Sequence, residues 1–287
     1  MAGSRVGRAV VHECFAELAG TFILVFFGLG AVCADVLSGA QEGIWQVGVV
    51  WGVAIALAIY ATSALSGTHI NPAVTLAFVC FRRFPARKAP LYMAAQTAGA
   101  FAAAAALYGL YGNALAAFEA AEGLVRGEAG SERSAMVFAD YFPNPKLAFE
   151  MGWASGVVSP IQAAAGEAAG TALLGFFVFA LTDPRNPNGP GDRLMGVFIG
   201  LAVAVIISVL APLTMAGLNP ARDVGPRAWA WLVGWGEVAF PGPRGWGLAV
   251  YTAAPLLGGP IGAAAYQWLI RPHLSLDHRP EQQETAG

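Results

Sequence analysis

Six runs of about 20 apolar residues dominate this sequence, at positions 15–34, 43–65, 91–112, 163–181, 194–213 and 248–269. The hydrocarbon core of a bilayer is about 30 Å thick, and a helix rises 1.5 Å per residue, so roughly 20 apolar residues cross it. With no water in that core, backbone polar groups must pair within the segment, which makes each run a helix. The expectation is therefore an all-α membrane protein with six transmembrane helices. Composition agrees: hydrophobic residues make up 56% and charged residues 12%, against about 25% charge in soluble domains. The first run reads as a span and not a cleaved signal, because Glu17 interrupts its start and no small-residue cleavage site precedes a soluble domain.

Basic residues set the expected orientation. Six spans leave both ends on one side, which collects Arg5, Arg8, Arg82, Arg83, Arg87, Lys88, Arg185, Arg193, Arg271 and Arg279. The opposite side holds Asp35, Glu42 and the acidic stretch 119–140. The positive-inside rule then places both termini in the cytoplasm. Cys14, Cys33 and Cys80 show neither CxxC nor Cys/His spacing, and read as small packing residues with no metal site.

The chain also repeats itself. Ser66-Gly67-Thr68-His69-Ile70-Asn71-Pro72-Ala73 in the first half is matched by Met215-Ala216-Gly217-Leu218-Asn219-Pro220-Ala221-Arg222 in the second. Ala16-Glu17-Leu18-Ala19-Gly20-Thr21 likewise matches Gly166-Glu167-Ala168-Ala169-Gly170-Thr171. Each half reads span, span, Asn-Pro-Ala segment, span. Three spans per half is odd, so the halves enter the membrane with opposite orientation, an inverted repeat whose site lies near the midplane. The expected layout is a first repeat at 1–112, a long external connection at 113–162, a second repeat at 163–271, and a disordered cytoplasmic tail at 272–287.

Proline suits the first turn of a helix and asparagine before it is a good N-cap, so each Asn-Pro-Ala starts a helix. The apolar stretches that follow, 71–82 and 219–231, are too short to span and read as half-helices running outward from the midplane. Their N-termini meet at the centre, each carrying roughly half a positive charge. Asn71 and Asn219 can present side-chain NH₂ groups to a lumen there. A water or hydroxyl accepting from both would interrupt a proton wire, and a cation would be repelled. The irregular residues before each half-helix survive at membrane depth only by lining a cavity. The carbonyls of Gly67, Thr68 and His69, and of Met215, Ala216 and Gly217, would then form a ladder of acceptors for solute hydroxyls.

With these motifs the chain resembles the aquaporin (major intrinsic protein) family from about Glu13 to Arg271, and its glycerol-facilitator branch in particular. The second motif, Asn219-Pro220-Ala221-Arg222, the following Asp223 with Arg227, Tyr108 and the Pro255-Leu256 pair all fit that branch. The resemblance implies a passive channel for glycerol and other small uncharged solutes, without cofactor or nucleic acid, not an enzyme. It further implies a homotetramer in the plasma (inner) membrane in which each chain carries its own pore. An outer selectivity filter is implied at Trp45, Ile207, Ala216 and Arg222. A typical glycerol facilitator has glycine at the Ile207 position and an aromatic at Ala216, so the pore shape differs here, in a way similar to some nodulin-related plant channels.

Two other readings stay open at this point. Ala216 and Ile207 raise a channel that prefers water or neutral hydroxylated metalloids. Glu17 and Glu167, ionisable groups inside apolar spans, raise a proton-coupled transporter. Their symmetric placement favours a structural part instead, with each carboxylate accepting from backbone N–H groups of the irregular segment. His69 has no second metal ligand at useful spacing.

Overall fold

The protein's structure, a computed structural model, describes residues 2–154, 156–239 and 246–274. The first half consists of α1 (Ala2–Ser38), α2 (Ile44–Ser66), the short α3 (Pro72–Phe81) and α4 (Ala89–Ala121). Two short helices, α5 (Glu132–Ala135) and α6 (Pro145–Glu150), lie in the connection. The second half repeats the order with α7 (Pro160–Leu181), α8 (Gly191–Thr214), the short α9 (Pro220–Ala230) and a last segment containing α10 (Ala254–Ala265). Five helices are long and apolar enough to cross a membrane: α1, α2, α4, α7 and α8. The sixth span is a helical run over 247–270 that widens into π turns at Ala249–Ala253 and Tyr266–Ile270. Pro255 explains the first of these, since its ring crowds the carbonyl of Tyr251 four residues earlier and the turn opens to relieve it. The side chains facing away from the bundle are large and apolar, among them Phe15, Leu110, Ile161, Val209 and Leu257, as a lipid-facing surface requires.

Packing follows the repeat. α1 lies against α4 as α7 lies against α10, and α2 crosses its counterpart α8 at the junction of the halves. A Cβ on Gly52 would stand 2.5 Å from the Gly200 carbonyl oxygen, and one on Gly200 would strike Gly52 in turn. Only glycine at both positions lets these backbones approach. The half-helices are exchanged: α9 packs on α4 of the first half, and α3 on α10 of the second.

The connection departs from the expectation in two ways. α4 does not stop at Gly112 but runs to Ala121, because residues 113–121 are mostly Ala and Leu, strong helix formers. The segment beyond is no bare external loop, since every residue over 134–145 is buried. Residues 240–245 and the tail from 275 onward, which includes most of the expected disordered stretch, lie outside the described residues.

Candidate functional site

The two irregular segments have matching backbones. Positive φ angles occur at Gly67 (80°), Thr68 (52°) and Ile70 (43°), and again at Met215 (64°), Ala216 (56°) and Leu218 (54°). Such left-handed backbone costs a non-glycine residue about 1–3 kcal/mol and persists only where its surroundings enforce it. Here two buried glutamates do so. Glu17 accepts from the N–H groups of His69 (2.8 Å) and Ile70 (2.7 Å) and from Gln96 Nε2 (2.7 Å). Glu167 accepts from the N–H groups of Gly217 (2.9 Å) and Leu218 (2.7 Å). One step earlier, Ser66 Oγ accepts from Thr68 N–H and Thr214 Oγ1 from Ala216 N–H.

With the N–H groups tied outward, the carbonyls turn the other way. Among the described residues, no hydrogen bond reaches the carbonyl oxygens of Gly67, Thr68, His69, Met215, Ala216 or Gly217. All of these residues except Met215 line one continuous cavity of about 100 Å³ that also holds Asn71 and Asn219. Met215 lines the adjoining smaller cavity instead, which shares Trp51, Ile207 and Arg222 with the first.

Asn71 and Asn219 N-cap α3 and α9. Asn71 Oδ1 accepts from Ala73 N–H at 2.8 Å, and Asn219 Oδ1 from Ala221 N–H at 3.1 Å and Arg222 N–H at 3.3 Å. Each side chain also reaches across the repeat axis. Asn71 Nδ2 donates to Leu218 O at 2.9 Å, and Asn219 Nδ2 donates to Ile70 O at 2.8 Å. A side-chain amide has two N–H donors, so one on each asparagine fixes its orientation and one remains for the cavity.

Apart from Thr182 and Arg222, the remaining wall is apolar, and its α2 and α8 residues follow helical periodicity. Trp51, Ile55 and Ile59 on α2 line the cavity at four-residue spacing. Ile199, Val203 and Ile207 on α8, equally far before Asn219 as the first three are before Asn71, do the same. Leu24 and Leu174 add one residue from each repeat.

Of the four expected filter positions, Ile207, Ala216 and Arg222 line the cavity and Trp45 does not. Trp45 sits in the first turn of α2 with 54% of its surface exposed. The tryptophan that lines the cavity beside Arg222 is Trp51, whose ring centroid lies 4.7 Å from the Arg222 guanidinium carbon. The physical reason is the helical repeat. Six residues at 100° per residue leave Trp45 about 120° around the helix from the face carrying Trp51, Ile55 and Ile59. That face was legible in the spacing of the apolar residues.

Around Arg222, Asp223 and Arg227 the sequence missed one partner, Asp140. Asp140, in the connecting segment, forms an ion pair with Arg222. Asp140 O accepts from Arg227 Nη2 at 2.6 Å, and its N–H donates to Asp223 Oδ1 at 3.3 Å. Arg227, fully buried, is held by Asp223 (2.6 Å) and by Ala239 O (2.8 Å). No local pattern marks Asp140, because its partners lie more than 80 positions away. The His69 ring is engaged by its neighbours: it stacks on Phe78, meets Tyr92 at a tilt and pairs with Thr75 Oγ1 through Nδ1.

Comparison with known proteins agrees with this geometry. The family model described as major intrinsic protein matches residues 6–266. The chain is 44% identical over 268 residues to a glycerol uptake facilitator protein of Escherichia coli K12, covering 92% of this chain and 90% of that one. It is 42% identical over 275 residues to a glycerol uptake facilitator protein of Pseudomonas aeruginosa, covering 95% and 93%. The X-ray structure of the aquaglyceroporin from Plasmodium falciparum superposes with a TM-score of 0.77 at 25% identity, covering 92% of this chain and 98% of that one. An inverted repeat with two crossed Asn-Pro-Ala half-helices, matched by a family model over nearly its whole length, makes this chain a member of the major intrinsic protein family, multi-pass channels of the membrane.

Proposed function

We propose that the chain is a passive channel for glycerol and other small uncharged solutes, driven only by the solute gradient. The observation that carries this reading is the pairing of donors and acceptors in one cavity. The spare N–H groups of Asn71 and Asn219 stand opposite unpaired carbonyls on two strained segments, between apolar walls. A polyol can give its hydroxyl hydrogens to the carbonyls, accept from the asparagines and Arg222, and lay its carbons on Trp51, Ile55 and Val203. No single site holds it tightly, so it leaves as readily as it enters. The half-helix N-termini and the asparagine donors oppose cations and a continuous proton wire. Glycerol as the solute is supported by the names of the relatives at 42–44% identity.

The clustering of basic residues supports cytoplasmic termini in a plasma membrane, and the family resemblance supports a homotetramer with one pore per chain. The proton-coupled reading loses its ground, because Glu17 and Glu167 are engaged by backbone N–H groups. Ala216 at the filter supports entry of neutral solutes wider than glycerol.

Stopped-flow light scattering on proteoliposomes, under separate glycerol, urea and water gradients, tests the proposal. Glycerol flux well above that of empty liposomes, with no uphill movement under an imposed proton gradient, is the expected result. Glycerol flux equal to that of empty liposomes overturns it.

A further inference from the structure

Arg222 poses an electrostatic problem at the pore mouth. It borders both cavities, and an unbalanced guanidinium in a partly dry site is a strong anion receptor, because its planar fork of donors suits nitrate or carboxylate. An anion bound there would block the path of a neutral solute. The connecting segment supplies the remedy. The Asp140 carboxylate, 1% exposed, touches the Arg222 guanidinium from behind the lumen wall, and is so close to Gly217 that a Cβ there would stand 2.9 Å from Oδ2.

The neighbouring charges leave Asp140 free for this task. Arg227 is already matched by Asp223, which it contacts through both Nε and Nη2. Glu167 spends its oxygens on the Gly217 and Leu218 N–H groups. Tyr251 is uncharged and donates to Thr214 O. The Asp140 backbone is clamped on both sides, by Arg227 and by Asp223, which fixes the point from which its buried carboxylate reaches Arg222. Its Oδ1 is buried without a hydrogen-bond partner.

We propose that Asp140 is a specificity-determining residue of the pore mouth. Its carboxylate balances the charge of Arg222, leaving the guanidinium as a hydrogen-bond donor to neutral solutes while denying anions a site. Cation exclusion then falls to the half-helix N-termini at the centre rather than to Arg222. This inference rests on the solute-channel reading above.

The test measures glycerol flux into proteoliposomes with nitrate or the bulky gluconate as the external anion at equal osmolarity. Wild-type flux is expected to be the same in both near neutral pH. Asp140→Asn is expected to conduct glycerol in gluconate and to be inhibited by nitrate about tenfold more strongly than wild type, the effect of one unbalanced charge at short range. Adding Arg222→Gln to that variant should abolish the inhibition, which a merely structural part for Asp140 would not predict. A measurement without any variant guards against misfolding. Burial pushes the Asp140 carboxyl above its ordinary value, against the pull of Arg222, so nitrate inhibition of the wild type should grow as the external pH is lowered. Glycerol flux that ignores nitrate both in Asp140→Asn and in the acidified wild type overturns the inference, as does wild-type inhibition at neutral pH. Absence of wild-type glycerol flux in gluconate overturns the channel reading instead.

Discussion

Ile70 is β-branched and yet holds φ at 43°, a conformation that a side chain of this shape strongly disfavours. Its N–H and that of His69 are each paired to one oxygen of Glu17, so the carboxylate offsets the strain by giving two donors two acceptors. Glutamine offers only one acceptor. Glu17→Gln should therefore leave a buried N–H unpaired and lower stability by about 1–3 kcal/mol, with Glu167→Gln close behind. Thermal unfolding in detergent reads this, and equal melting temperatures for variant and wild type would refute it. The pairing itself was legible in the two matching glutamates, because their symmetry pointed to backbone acceptors. The filter was less legible. Trp45 and Trp51 are both tryptophans of one span; the resemblance pointed to Trp45, whereas the four-residue spacing of Trp51, Ile55 and Ile59 singles out Trp51 as the one that lines the cavity. Trp51→Ala should change the glycerol-to-urea flux ratio severalfold, while Trp45→Ala leaves it unchanged. Ala216→Phe should narrow the mouth and cut flux of polyols longer than glycerol; undiminished flux for these would show that Ala216 does not set the width.

At the scale of elements, hydropathy alone locates the spans, because each apolar run must become a helix to satisfy its backbone in lipid. Their ends were less legible. The run ending at Gly112 continues as helix to Ala121, since hydropathy falls there while helix propensity does not. The last span is a single run whose π turns no hydropathy window reveals. Its far end is tied down by charge: Arg271 Nε donates to Asp183 Oδ2 at 2.8 Å, and Tyr266 OH to the same oxygen at 3.2 Å. Burial disfavours the ionised Asp183, but the Arg185 N–H and Arg271 outweigh it and hold the carboxyl below its ordinary value. A carboxyl depressed in the folded state stabilises above its unfolded pKa, and this contribution is lost as pH falls through the folded value. The melting-temperature gap between wild type and Asp183→Asn should thus be full at neutral pH and close below about pH 4. A gap that persisted in acid would mean that Asp183 acts through packing. Gly52 and Gly200 mark the other critical joint, where a Cβ on either meets the opposing backbone. Gly200→Ala should cost about 1–3 kcal/mol by overpacking, unlike an alanine at Gly109, which has open space around it.

The whole molecule is two halves that have exchanged their half-helices. α9 of the second half lies on α4 of the first, α3 of the first lies on α10 of the second, and α2 crosses α8. Each central asparagine donates to a carbonyl of the opposite half. The repeated motif made this symmetry legible, because an odd number of spans per half forces inversion. The covering of the pore mouth by the connection was not, since Asp140 meets Arg222 only through tertiary folding. These two features assign different tasks to the chain between the halves. Residues 134–145 are buried and hold the mouth, whereas Glu150, Met151, Gly152 and Ala154 stand exposed and serve only to join. The exchanged packing, rather than chain continuity, should therefore hold the halves together. A protease site inserted after Gly152 and cut in the purified protein is expected to give two fragments that elute together in detergent and keep their glycerol flux in proteoliposomes. A cut inside 134–145 should lower that flux when nitrate is the external anion, because it frees Asp140 from the clamp formed by Asp223 and Arg227. Fragments that separated after the first cut would show that the covalent link, and not the crossed half-helices, keeps the pore assembled.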